Sequence, residues 1–304
     1  MSHPNLANVE MYLEDTLAPT DPGYLPPLIF QPSYGFVPQG MNQGFPEVRD
    51  NVTKRPSQDG TFDFTEFLGA RSVTLNVALS PETSGLSERD LEDQLRRWMH
   101  PSRRSWLYVK SSGGSDFRRI YVRPSTVASS MNFITNRNFR TIALSWKAAN
   151  GIWEAAELQT EELEAGTESE TGRTYDETYD KTYPASDVVG EKTVYNYGTA
   201  PAFPIARIYG PVTQPRIENK TTNKRIIFTT GLVIAAGEYL EINFAEGTAT
   251  MNGNINNSRY QFLDFAGGLS EWWSLIPGAN KLRFYPGTYT PPGVAIVEWR
   301  SAYL

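Results

Sequence analysis

Cysteine is absent from the 304 residues of this chain. Disulfides, thiolate catalysis and cysteine-ligated zinc are therefore excluded. The redox compartment stays open, with assembly in a cytosol as the simpler reading. Histidine is nearly absent too. His3 lies in a terminus expected to be mobile, and His100 is expected just after a helix. A histidine metal site or a nucleophile–base–acid triad needs partners that the sequence places beside neither. No glycine-rich phosphate loop occurs. The first twenty residues lack the basic start and apolar middle of a signal peptide. No apolar run approaches the roughly 18 residues that cross a bilayer. Paired carboxylates such as Glu161 and Glu162 are the raw material of glycoside hydrolysis, but they stand in a charged run with nothing to withdraw them from water. The run Glu168–Asp180 lacks the spacing of an EF-hand loop. No catalytic, cofactor-binding or metal-binding residue is assigned on these grounds, and no cofactor is expected.

What the chain does have is turn chemistry between short alternating runs. It carries 24 Gly, 21 Pro and 12% aromatic residues, a composition suited to a β-rich protein of two domains. Residues 1–45 are interrupted by Pro22, Pro26, Pro27, Pro32 and Pro38 and are read as an extended arm or a set of loops, with Leu28-Ile29-Phe30 a short strand. Residues 46–155 form the first domain. There, Val73, Leu75, Val77 and Leu79 alternate with polar or small residues, the period of a half-buried strand. Ser87 and Asp90 make a capping-box start for a helix over 87–99, whose Leu91, Leu95 and Trp98 share one face. Trp106–Lys110 and Arg119–Arg123 form a hairpin about a turn at Ser111–Ser115. A further strand places Ile142, Leu144 and Trp146 on one face. Apolar content then collapses, and 156–192 is read as an acidic linker or arm in which Leu158 and Leu163 support a short exit helix.

Residues 193–304 carry an ordered set of turn signals. Asn196-Tyr197-Gly198-Thr199-Ala200-Pro201, Ile208-Tyr209-Gly210-Pro211 and Pro215-Arg216-Ile217-Glu218-Asn219 come first. Gly237-Glu238-Tyr239-Leu240-Glu241-Ile242 and Met251-Asn252-Gly253 follow, then Trp272 to Asn280 and the closing Val294 to Arg300. Asn252-Gly253 has the positive-φ residues of a two-residue hairpin turn, with Gly247–Met251 as one strand of the pair. Such closely spaced strands and turns describe a sandwich of antiparallel sheets. Trp272 and Trp273 fall on opposite faces if their segment is extended, so one at most is expected to be buried. Core packing and a sugar-binding platform are both open to them.

Charge is distributed unevenly. Arg96 to Lys147 holds eleven basic residues against one acid, Asp116, whereas Glu154 to Lys192 holds twelve acids against three bases. The acidic stretch is expected to lie on the basic surface of its own or a neighbouring subunit and to steer assembly. Loss of 160–186 without effect on assembly across a salt titration would refute that. Within it, Thr174-Tyr175, Thr178-Tyr179 and Thr182-Tyr183 recur with a period of four, which reads either as an arm that docks on a partner or as an exposed loop.

The order and spacing of these signals from about Pro46 to Leu304 resemble the distal tail (Dit) proteins of siphophages. The resemblance rests on the C-terminal run, on Gly69-Ala70-Arg71 opening a strand, on the helix near 87–99 and on the strand from Phe139 to Trp146. It implies a mainly β fold: an N-terminal β-barrel or sandwich flanked by one helix, then a galectin-like β-sandwich. It further implies a structural virion protein, not an enzyme, that forms a hexameric ring at the phage tail tip after assembly in the host cytoplasm. The implied partners are further copies of itself, the tail tube protein, and the tape-measure and tail-tip or receptor-binding proteins. DNA only passes through the channel, and nothing inserts in a membrane. A carbohydrate-binding β-sandwich module for host attachment is the alternative, and a glycan-degrading enzyme the least supported.

Overall fold

Strand-forming alternation governs most of the backbone, and the protein is mainly β, built of antiparallel sheets. The computed structural model describes residues 11–49, 52–54, 59, 61–63, 67–110, 116–132, 139–165, 190–266, 269–287 and 293–304. Two units divide the chain, Met1–Ala156 and Glu157–Tyr303. The period-four tyrosine repeat and the turn Ser111–Ser115 lie outside the described residues.

The first unit contains β1 (Met11–Asp15), β2 (Leu28–Ile29), β3 (Phe36–Asn42), β4 (Val48–Arg49), β5 (Val52–Lys54), β6 (Thr61–Asp63), β7 (Phe67–Leu68) and β8 (Arg71–Leu79). Helices α1 (Pro81–Ser84) and α2 (Glu88–Trp98) follow, then β9 (Ser105–Lys110), β10 (Phe117–Asn132), β11 (Phe139–Ala148) and β12 (Trp153–Ala155). The main sheet runs β2-β1-β9-β10-β11-β8-β3. β10 serves two partners in turn: Phe117–Val122 pair with β9 and Arg123–Asn132 with β11, with a register shift between Pro124 and Thr126. A bulge bends a strand, and a proline that cannot donate to a ladder is tolerated there. The bend wraps the sheet around a core of Leu13, Leu75, Leu107, Ile120, Leu144 and Trp146, all fully or almost fully buried. Each such side chain contributes about 1.5–3 kcal/mol.

Helix α2 starts as the sequence indicates. The amide of Asp90 donates to Ser87 Oγ at 3.2 Å and the amide of Ser87 to Asp90 Oδ2 at 3.3 Å. Leu91, Leu95 and Trp98 are buried, and the helix packs beside β8. The proline-rich segment departs from the arm or loops expected of it. It contributes three strands to the main sheet with loops between them: β2 is the short strand expected there, β3 lies at the edge, and β1 pairs with β9 through Met11–Val109 to Asp15–Ser105. Its prolines sit where they remove no ladder bond from an inner strand, and Pro38 lies on edge strand β3 at a register shift.

The second unit contains β13 (Gln159–Glu164), β14 (Glu191–Asn196), β15 (Ile205–Tyr209), β16 (Val212–Thr213), β17 (Arg216–Asn219), β18 (Lys224–Ile227), β19 (Val233–Ile234), β20 (Tyr239–Asn243), β21 (Thr248–Met251), β22 (Gly278–Tyr285), β23 (Val294–Trp299) and β24 (Ala302–Tyr303). A five-stranded sheet, β13-β23-β15-β20-β21, packs against a four-stranded one, β14-β22-β17-β18. Leu163, Ile208, Leu240, Ile242 and Val297 from the first meet Ile217, Ile226, Leu282 and Phe284 from the second in the buried layer.

Two expectations change here. The exit helix of Leu158 and Leu163 is instead β13, paired with β23 from Gln159–Trp299 to Glu164–Val294. Pairing with a distant strand outweighs the weak helix preference of its Glu and Gln residues, and alternation then buries Leu163 alone. This strand lies inside the stretch read as a linker or arm. Asn252 and Gly253 do have positive φ, 54° and 65°, but they do not join two strands directly. The chain returns only at Asn257–Arg259, where Met251 N donates to Asn257 O and Arg259 N to Ala249 O.

Candidate functional site

Three of the sequence motifs begin or end in an asparagine, Asn196, Asn219 and Asn280, and all three side chains are buried in the second unit. Asn196 Nδ2 donates to the carbonyls of Ala200 and Leu275, while its Oδ1 accepts from the amides of Gly198 and Ala302. Asn219 Nδ2 donates to Ser274 O and to Asn280 Oδ1. Asn280 Oδ1 also accepts from Ile276 N, and its Nδ2 donates to the carbonyls of Ile276 and Gly278. The three amides thus hold the irregular stretch Ser274–Gly278 against β14 and β17. Gly198 belongs to the same lock, since a Cβ there would lie 1.7 Å from Ala302 O. These three asparagines are therefore devices of folding, bonded to backbone groups and, between Asn219 and Asn280, to each other.

Chemical groups in the first unit are also committed to one another. His100 Nδ1 meets Ser102 Oγ at 2.6 Å across a tight turn, in a cleft of about 500 Å³. The carboxylate in that cleft, Asp15, is held by Arg103 Nη1 at 2.6 Å and caps the amides of Leu17 and Leu25. Both of its oxygens are taken by these donors, and His100 bonds Ser102 instead. Tyr12 and Tyr108 stack at 4.4 Å between centroids. Burial above all pushes both hydroxyls up, with Glu14 adding to it, so both stay protonated. Arg119 lies 3.9 Å over the Trp106 ring and pairs with Glu154.

Four bases of the basic stretch are answered within their own unit. Arg103 pairs with Asp15, Arg119 with Glu154, Arg96 with Glu92, and Arg140 with Glu88 and Glu92. The carboxyl of Glu92 is held below its usual range, first by the hydrogen bond from Arg96 and against some burial, with Arg140 also contributing. These partners do not enter the local charge count because all four acids lie outside the basic window.

The second unit presents two outer sheet faces. On the five-stranded face Arg207 stands between two acids, Nε at 2.8 Å from Glu241 and Nη1 at 2.7 Å from Glu298. Burial disfavours its charge, but the bonds it donates to Glu241 and Glu298 prevail and raise its pKa. Tyr209 and Tyr239 lie beside it, 5.5 Å apart. On the four-stranded face Glu218 is buried beneath Arg216 at 3.0 Å and Lys220 at 3.5 Å, with Arg225 at 4.0 Å. Arg216 and Arg283 both lie on the Tyr285 ring, at 3.9 and 4.3 Å. Trp273 is buried against Phe244 at 4.0 Å. Trp272 is half-buried and stacks with exposed Tyr260 at 6.4 Å, next to exposed Phe265. Among the described residues no group of three or more His, Asp or Glu side chains is placed to hold a metal ion, and no helix is long and apolar enough to cross a membrane.

Residues 197–303 match the family model of the siphovirus-type tail component, C-terminal domain. None of the curated proteins compared matches the chain. Among solved structures, the Dit protein of phage SPP1, described as a paradigm of the hub adsorption apparatus in phages infecting Gram-positive bacteria, aligns with a TM-score of 0.59 and 13% identity. That alignment covers 97% of this chain and 99% of the other, a likeness of fold across both units. The baseplate of phage P2 in its activated conformation with Ca aligns with a TM-score of 0.48 and 11% identity over 96% of this chain and 97% of the other.

Proposed function

We propose that this chain is a structural subunit of a siphophage tail, of the Dit type, forming a ring that joins the tail tube to the tip or baseplate. The observation that carries the reading is the tail-component match over 197–303. Its support is a fold that follows the SPP1 protein across nearly the whole chain. The distribution of chemistry agrees with it: buried polar groups secure turns, and charged groups are paired on sheet faces, as a scaffold requires. In this reading the chain has no catalytic role and resides in the virion. Six copies form the ring, DNA passes through its channel, and its neighbours are the tail tube protein, the tape measure and the receptor-binding apparatus. Negative-stain images and native mass of the purified chain test the ring directly. Sixfold particles are expected, and a monomer at all concentrations would overturn the reading.

A second reading has one observation in its favour, the surface aromatic group of exposed Tyr260 and Phe265 with half-buried Trp272. Aromatic faces of this kind carry sugar rings. A monomer that binds a glycan array and loses binding on W272A would favour a carbohydrate-binding module over the ring.

A further inference from the structure

The two outer faces of the second unit carry opposite charge. Alternation along β13, β23, β15 and β20 turns Glu162, Glu164, Glu298 and Glu241 outward, with Arg207 as the one cation among them. Alternation along β14, β22, β17 and β18 turns outward Arg216, Arg225, Lys281 and Arg283, joined by Lys220 and set against Glu191 and Glu218. One face therefore carries a formal excess of three negative charges and the other an excess of three positive. The outermost charges reach solvent: Glu162 and Glu164 are exposed, and the Lys281 side chain is 60% accessible. Each face also presents tyrosine beside its charges, Tyr209 and Tyr239 on the acidic side and Tyr195 on the basic. Tyrosine is the residue type enriched in protein contacts.

We infer that these faces are the two halves of one head-to-tail contact between copies of this chain, the acidic five-stranded face of one copy against the basic four-stranded face of the next. The faces lie on opposite sides of one sandwich, so a single copy cannot satisfy its own charges. A twofold pairing would set like charge on like. Contact between unlike faces is heterologous, leaves one face of each sign free, and so continues from copy to copy until it closes or extends. Five strands about 4.8 Å apart and about five residues long cover roughly 400 Å² per copy, half the usual share of a stable interface of about 800 Å² per partner. A contact this small serves copies already held together, through their raised effective concentration, and in that respect it rests on the ring reading above.

Reversing each face separately tests it. E162K/E164K leaves both faces positive, and K220E/K281E leaves both negative. All four positions are exposed, and thermal unfolding by circular dichroism checks that each variant folds. At low salt each variant alone is expected to need about tenfold more protein than the native chain to reach the same oligomer population. The equimolar mixture is expected to recover the native behaviour, because each variant then meets its complement, and high salt is expected to remove the differences. Variants that assemble like the native chain, or a mixture no better than its parts, overturn the contact and leave a sixfold ring seen in images untouched. If the native chain forms no ring, the ring reading falls by itself. The mixture still decides the contact: association of the two variants at high concentration supports it, and none refutes it. Binding of a polyanion such as heparin to the basic face, without self-association, assigns that face to another partner and also overturns the proposal.

Discussion

Glu92 shows how a single carboxylate holds helix α2 to the sheet of the first unit. It accepts from Arg96 on its own helix and pairs with Arg140 on β11. Its folded pKa is depressed, so its contribution is present above the unfolded carboxylate value of about 4.3 and is lost as pH falls through the lower folded value. E92Q is expected to cost about 0.5–1 kcal/mol near neutral pH, the scale of a partly exposed ion pair. Denaturant titrations at neutral and acid pH should show the gap to the native chain closing below that range. A gap independent of pH would remove the carboxylate from the explanation. Asn280 is the opposite case, with no charge but complete burial. N280A strands the partners of four hydrogen bonds and is expected to lower the stability of the second unit by about 2–4 kcal/mol, with N196A close behind. A loss under about 1 kcal/mol would show that water replaces the side chain.

At the scale of elements, the breaks that define β13 and β14 carry a consequence for the acidic stretch. Ala165 bridges to Phe284 and Glu191 pairs with Arg283, consecutive residues of β22. The chain therefore leaves and re-enters the sandwich at one place. Replacing 166–189 by a few glycines is expected to leave the thermal midpoint of the second unit within about 2 °C, since loop length enters stability only logarithmically. A large drop would show that the stretch is part of the core. This region also marks how far elements were legible. Helix α2, β8, β9, β11 and the closing strands were plain, because each buries a periodic face and carries its own end signals. β1 and β13 were not, because β1 is only five residues long, β13 buries Leu163 alone, and each owes its conformation to a strand ninety or more residues away. The turn at Asn252 had the right dihedrals and the wrong connection, since φ is set locally and strand pairing is not.

For the whole molecule, the division at Glu157 predicts which pieces stand alone. A polypeptide of residues 157–303 is expected to unfold in one cooperative step. One that begins at 193 lacks β13, uncovers the β23 edge and removes Leu163 from the core, at a cost of about 2–5 kcal/mol for that side chain. Equal midpoints for the two would place the boundary at 193 after all. The surface behaves differently from the core in this respect. The aromatic and charged groups on the sandwich faces were not legible as shared surfaces, because residues that share an outer face come from strands scattered across the chain.

The sequence by itself determined that this is a β protein with one substantial helix and that its C-terminal run is a sandwich of closely spaced strands and turns, and its order of signals resembles that of the phage distal tail proteins. Periodicity, capping and φ are local quantities, and sequence records local quantities directly. Tertiary structure alone decided that the proline-rich start also supplies β1 and β3 to the sheet, that the acidic stretch begins as a strand, and that four bases of the basic stretch are answered by Asp15, Glu88, Glu92 and Glu154. It alone sorted the charges of the second unit into one acidic and one basic face. Those outcomes depend on which distant strands pair and in what register, and a shift of one residue in register would turn each of those charges to the other side.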